Sequence, residues 1–431
     1  MEREKIWIRI REAFWFLPGL YSIAAICLVL IINSLDSWIL TSFQHQLPKM
    51  ILTTSDIAKE LYSALASAIL NMTTISFSII MVVLTTYSTQ FSPRTLQDFM
   101  RSKTTHHVLG VYCFGFIFAL LHLLLVGKSG GLIGPIVMVI ISILVLAFFV
   151  YFIHLSSRWV QVNNLIATIR VDGSRVISHM YKERDFQVCE TWDRQEIERA
   201  TSNASQPVHA IKSGYVQTID WKKLVEWAVY HDQFIQMNVQ IGDFVIRDYP
   251  IMYVNAQQDE EFTHTNEYIL IGNERTDLQD IEFSLQKLVE IALRAISPAI
   301  NDPHTAINCI NRIGELLSEI GKEYKEINYL ADHNQQLRVI IEQKKYETYL
   351  YKSFYQIRHY GKDDVSVIYG IIEVLYKIAV VSNDTIKQKL WDFHIYILDV
   401  IDWESLSKLD YKHLQSITEK FRRTYQAPGL S

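Results

Sequence analysis

Four long stretches of this chain carry no charged side chain: Ala13 to Leu35, Leu61 to Pro93, Thr104 to Gly127 and Ser129 to Ser157. Each exceeds the roughly 20 helical residues that cross a bilayer core. A charge at mid-membrane costs at least ~2.5–3.5 kcal/mol. In a chain that is 20% charged, four such gaps are not an accident of composition. They predict an α-helical membrane protein with four transmembrane helices. Residues 156 to 431 have the charge density of a soluble protein.

The first run follows Arg3, Lys5, Arg9 and Arg11, as a signal peptide would. It is longer than a signal h-region, and no small-x-small cleavage site follows it. It reads as a retained anchor, preceded by an interfacial segment over 1–13. Lys and Arg set the orientation. They cluster in the N-terminal tail, at Arg94, Arg101 and Lys103, and at Arg158, Arg170 and Arg175. The other two loops hold only Lys49, Lys59 and Lys128. With four spans, the three rich segments share one side, so both termini are expected in the cytoplasm, at a bacterial inner membrane.

The second run is unlike the others. Ser67, Asn71, Thr74, Ser78, Thr85 and Ser88 recur at spacings that place them on one helical face. Small and hydroxylated residues let helices pack closely. The same face also suits the wall of a water-filled path in an oligomer. Ser92-Pro93-Arg94 ends the run; Ser92 fits a helix N-cap and Pro93 the first helical position. Arg94 is a candidate lipid-headgroup anchor or pore-mouth residue. No Lys or Arg lies within a span, which argues against a voltage sensor, and no Asp or Glu lies mid-span. His122 and His154 read as interfacial or packed histidines.

The soluble half begins with a helical connector over 156–206. From Pro207 to Ile271, short β-branched and aromatic segments alternate with turns at Ser213-Gly214, Gly242-Asp243 and Asp248-Tyr249-Pro250. They predict a small β-barrel or sandwich over 207–272, with a short amphipathic helix over Trp221 to Tyr230. Gly214 and Gly242-Asp243-Phe244-Val245 resemble the small barrels of lipoyl-type domains, but no lysine occupies a matching hairpin, so no cofactor is expected. Residues 273–431 read as a helical bundle, with later helices over 344–360, 364–381, 384–400 and 404–425. Leu337 to Ile341 reads as an isolated strand. Ser297-Pro298-Ala299-Ile300-Asn301-Asp302-Pro303-His304-Thr305 forms an elbow bracketed by two prolines. Asp302 fits an N-cap and Pro303 the first helical position. Asn301, Asp302, His304 and Thr305 are candidates for a ligand, ion or subunit contact.

Two stretches resemble signatures of a family of predicted four-span bacterial membrane proteins, a domain of unknown function. One runs from Ser76-Phe77-Ser78 to Ser92-Pro93-Arg94. The other runs from Gly272-Asn273-Glu274-Arg275-Thr276 through the Ser297–Ala306 elbow. The resemblance implies the architecture and no activity.

Enzymes are disfavoured. There is no HExxH, GxSxG or dinucleotide fingerprint, and Gly127-Lys128-Ser129 lacks the first glycine of a P-loop. Asp277, Asp280 and Glu282 cluster where acids favour a helix start. Cys27, Cys113, Cys189 and Cys309 form no CxxC pair, so neither a disulfide framework nor a zinc site is expected. A net charge of −5 gives no footprint for nucleic acid. The expected function is an oligomeric membrane pore or transporter for ions or small solutes. The cytoplasmic domain would serve assembly or act as a vestibule. The partners would be the lipid bilayer and further copies in a cyclic homo-oligomer. The alternative is a membrane-anchored sensor or scaffold with no transport activity.

Overall fold

The computed structural model describes residues 15–43, 54–91, 94–95, 103–126, 133–182, 187–203, 206–255 and 268–426. The interfacial segment expected over 1–13, Ser92-Pro93 and Lys128 lie outside the described residues. The chain divides into two compact units, Met1–Val162 and Asn163–Ser431.

The first unit contains four helices long and apolar enough to cross a membrane. They are α1 (Phe16–Phe43), α2 (Ser55–Thr86), α3 (Lys103–Leu125) and α4 (Ile133–Trp159). Apolar surface does not drive helices together in lipid, so close approach does. A Cβ on Gly110 would lie 2.5 Å from the Tyr21 ring, and one on Gly115 2.9 Å from Val145 and 3.1 Å from Ile69. These two glycines seat α3 against α1, and against α2 and α4. A polar tie adds to them, since the Ser76 hydroxyl donates to Tyr112 Oη at 3.3 Å. The α2 backbone widens into a π-helix over Tyr87–Phe91. Arg94 lies in a turn and is exposed.

One boundary differs from the sequence expectation. The first charge-free run ends at Leu35, but α1 continues to Phe43 and Asp36 is buried. Its carboxylate accepts from the N–H groups of Ile133 at 2.8 Å and Gly134 at 3.1 Å. The unsatisfied N–H groups and positive dipole end of α4 compensate the charge.

The second unit opens with α5 (Val162–Lys182), whose Arg170 pairs with Glu315 at 2.7 Å and Glu319 at 3.0 Å. Then follow β1 (Gln187–Cys189), α6 (Arg194–Asn203), β2 (Gln206–His209), β3 (Gly214–Ile219), α7 (Trp221–Tyr230), β4 (Ile235–Met237), β5 (Phe244–Val245), β6 (Pro250–Val254) and β7 (Ile269–Gly272). Next come α8 (Ile281–Ala295), α9 (Pro303–Glu323), β8 (Tyr329–Ala331) and β9 (Leu337–Ile340). The helices α10 (Tyr346–Tyr360), α11 (Val365–Val380), α12 (Asp384–Leu398) and α13 (Lys408–Gln426) close the unit.

The strands form a six-stranded sheet in the order β1-β8-β9-β4-β6-β2 and a three-stranded sheet in the order β5-β3-β7. Neither closes into a barrel, which corrects that part of the expectation. Both sheets and α7 bury one apolar core, including Val216, Ile219, Leu224, Trp227, Ile235, Ile251 and Val339. Leu337 to Ile341 is not isolated either. The β9 strand pairs antiparallel with β8 and parallel with β4, so distant segments complete the sheet. Strands of two to six residues cannot bury a core alone, and the shared core supplies the missing contacts.

Candidate functional site

In the first unit, α2 presents two different faces. Tyr62, Ala66, Ile69, Ser76, Ile80 and Val83 are buried against the neighbouring spans. Ser67, Asn71, Thr74, Ser78, Thr85 and Ser88 are all exposed. At about 100° per residue the polar set lies on the side of α2 away from the buried set. The polar face is therefore not used to pack the spans of one chain together. Thr74, Ser78 and Thr85 each donate a hydroxyl to the carbonyl four residues earlier, at 3.0, 3.0 and 2.8 Å. That satisfies the donor and leaves oxygen lone pairs outward. Asn71 has a larger polar head and makes no side-chain hydrogen bond among the described residues. Exposed Leu70, Phe77 and Met81 flank the stripe on one side, and Ile75 and Val82 on the other.

In the second unit, the richest chemistry surrounds the start of α8. Asp280 is the N-cap of α8 and accepts from Phe283 N–H at 3.2 Å. The same carboxylate takes both Arg275 Nε at 2.6 Å and Arg275 Nη2 at 3.1 Å, a two-point pairing. One turn of Asp280 and Glu282 then diverges. Glu282 turns toward Arg275 Nη2 at 3.0 Å, Lys344 Nζ at 2.9 Å and Lys352 Nζ at 2.9 Å. Burial alone would raise the Glu282 carboxyl; Lys344, Lys352 and Arg275 overcome it and hold the group down to about 2. Lys287, also buried, pairs with Asp277 at 2.9 Å and sits 5.1 Å from the Phe283 ring centroid.

Gly242 closes this network. Its φ is +91°, a conformation that favours glycine, and a Cβ there would lie 2.4 Å from Asp280 Oδ2 and 2.7 Å from Arg275 Nη2. A Gly242→Ala exchange is expected to destabilise the chain by at least about 2 kcal/mol, from backbone strain plus displacement of the buried pair. Denaturant titration measures it. A change below about 0.5 kcal/mol would show that the turn adapts freely.

Two lysines of this network, Lys344 and Lys352, stand in the wall of a cleft. Because β4 and β9 run parallel, the segments that follow them, 238–243 and 341–345, leave the sheet at the same end. A cleft of about 720 Å³ opens there, lined by Gln236, Asn238, Gln240, Asn328, Gln343, Lys344, Lys345 and Lys352 among others. Beside it lies an apolar recess of about 90 Å³ walled by Trp221, Val239, Ile241, Ile281 and Tyr349. The crevice beyond the carboxyl ends of parallel strands is where open sheets take ligands. The sequence read Asp280 and Glu282 as helix-start acids and missed Lys344 and Lys352. The signal it did carry was the alternation Gln236, Asn238, Gln240, which aims three amides to one side of an extended segment.

The elbow is built as its residues dictate. Asp302 caps α9, accepting from Thr305 N–H at 3.1 Å and Thr305 hydroxyl at 2.6 Å. Those bonds, chiefly the hydroxyl, hold the Asp302 carboxyl below its ordinary value. Asn301 adopts φ +51°, which asparagine tolerates better than most side chains. Asp302 and Thr305 thus serve the cap, while Asn301 and His304 are exposed. No cluster of three or more His, Cys, Asp or Glu suited to a metal occurs among the described residues.

The family model described as "Predicted membrane protein (DUF2254)" matches residues 11–377. The chain belongs to this family. Among the proteins similar to this chain are the uncharacterised protein MT1328 of Mycobacterium tuberculosis (strain CDC 1551 / Oshkosh) and the uncharacterised protein Mb1321c of Mycobacterium bovis. Each is 29% identical over 320 residues, which is 71% of this chain and 60% of the relative. The chain thus spans about 60% of the length of the curated relatives it matches. No solved structure matches it.

Proposed function

We propose that this chain is an oligomeric pore or transport protein for ions or small solutes, with α2 nearest the oligomer axis. The observation that carries the reading is the polar stripe of Ser67, Asn71, Thr74, Ser78, Thr85 and Ser88, exposed on the side of α2 not used for packing within the chain. Facing lipid, the Asn71 amide would lack the partners that water or a neighbouring copy supplies. The apolar flanks of the stripe suit contact with adjacent copies of α2. In this reading the membrane is the bacterial inner membrane, both termini are cytoplasmic, and the second unit forms the assembly or vestibule domain. Arg94 then stands at the cytoplasmic end of α2.

Cysteine crosslinking tests the arrangement. In a Cys27→Ser background, which removes the exposed native thiol, Ser78→Cys is expected to give a ladder of crosslinked species in membranes. Val150→Cys, exposed on α4, should give little. Monomer alone at Ser78, under conditions that crosslink a known dimer, would sink the shared axis.

A second reading is favoured by the cleft beyond β4 and β9. It is large and polar, and Lys344 and Lys352 of the charge network line it, as a ligand-sensing domain would require. On that reading the spans anchor a cytoplasmic sensor or scaffold, and flux is absent.

A further inference from the structure

Groups from all four spans meet at Gly134, the second residue of α4. Asp36 of α1 accepts the N–H groups of Ile133 and Gly134. A Cβ on Gly134 would lie 2.6 Å from Tyr62 Oη of α2 and 3.2 Å from His122 Nε2 of α3. The two rings are 5.4 Å apart. His122 is only 7% exposed, and its Nδ1 lies 3.1 Å from the Phe118 carbonyl oxygen. A carbonyl can only accept, so Nδ1 carries the hydrogen and Nε2 is the bare nitrogen. Nε2 is buried and meets no hydrogen-bond partner among the described residues.

We propose that His122 is a proton-binding site of the membrane unit, with Asp36 as its counter-charge and Tyr62 as the oxygen that receives the new N–H. The proton comes from solvent, the Nε2 lone pair forms the N–H bond, and the ring becomes an imidazolium. No other bond breaks. A buried polar atom without a partner is uncommon and asks for an explanation. Here the bare nitrogen, a phenol oxygen and a carboxylate surround one glycine, which is where a side chain would otherwise fill the space.

The charges around His122 limit what else could govern it. From α1 it faces Asp36. From α2 it faces Tyr62, while Asp56, Lys59 and Glu60 of the first turns are not buried. On α3 itself, His106 and His107 lie about four turns away. From α4 it faces backbone; Tyr151, His154 and Arg158 are more than four turns farther along that helix. Among the described residues Asp36 is therefore the one buried carboxylate beside it. The site forms within one chain, so it exists whether or not α2 lines a path.

The test is nitrogen-15 NMR of the full chain in nanodiscs with labelled histidine, from pH 8 to pH 5, with His122→Gln to assign the signal. We expect the His122 ring to show a protonated Nδ1 and bare Nε2 at pH 8, and the imidazolium form at pH 5. Asp36→Asn is expected to reduce the imidazolium signal at pH 5.5 at least twofold. If Asp36→Asn does not fold, Tyr62→Phe, which keeps the ring and removes the oxygen, carries the same expectation. A His122 ring that remains neutral at pH 5, or imidazolium unchanged in the folded variants, overturns the assignment.

Discussion

Replacing Glu282 with glutamine is expected to lower the thermal midpoint of the chain by ~6–12 °C at pH 7 and to flatten its loss of stability in acid. The folded-state carboxyl is held to about 2, against an ordinary value of 4.5, by Lys344, Lys352 and Arg275 acting against the cost of burial. Because the folded value lies below the unfolded one, the contribution is complete above about pH 4.5. It is lost as pH falls toward 2. A gap of that size corresponds to on the order of 3 kcal/mol. Lys352 is half-exposed, so solvent screens its share, and Arg275 and Lys344 carry most of the effect. Glutamine keeps the shape but leaves those partly buried cations short of a counter-charge, which in buried pairs costs about 3–5 kcal/mol. Thermal unfolding at pH 7, 4.5 and 2.5 separates the outcomes. Equal midpoints at pH 7 would mean the network is balanced without Glu282. A lower midpoint with an unchanged acid profile would assign the acid sensitivity to other carboxylates.

The same network shows where the sequence could be read and where it could not. Four spans were legible because membrane insertion is a local, additive property of composition. The end of α1 was not, because Asp36 is compensated by the start of α4, far along the chain. Asp302 and Pro303 announced the cap of α9, since capping is decided within four residues. The later helices, read over 344–360, 364–381, 384–400 and 404–425, lie at Tyr346–Tyr360, Val365–Val380, Asp384–Leu398 and Lys408–Gln426. Strands were recognisable one at a time, but not their neighbours. Nothing near Leu337 says that its strand pairs with β4 about a hundred residues earlier. Glu282 was visible only as an acid near a helix start, because its partners Lys344 and Lys352 lie 62 and 70 residues farther along the chain. The polar stripe of α2 was legible by periodicity. That it points away from the chain's own core required knowing which face packs.

That distinction makes the conduction measurement decisive. Thr74→Leu combined with Ser78→Leu is expected to lower ion flux through the purified protein in liposomes at least roughly tenfold, with empty liposomes as the control. Both residues are exposed on the chain, and their hydroxyls donate to the carbonyls of their own helix. Leucine at those places therefore removes only those two bonds within α2, and the fold is expected to hold. In a narrow water-filled path the same change replaces hydrogen-bonding groups with apolar wall, and such constrictions close by dewetting. A tenfold fall corresponds to a barrier increase of about 1.4 kcal/mol, a small demand for two rings of side chains around an axis. Asn71→Leu should act in the same direction. If flux and the crosslinked oligomer are lost together, the stripe is a packing surface between copies. If a folded oligomer conducts nothing under varied voltage, pH and tension, the cleft beyond β4 and β9 becomes the working site and the spans its anchor.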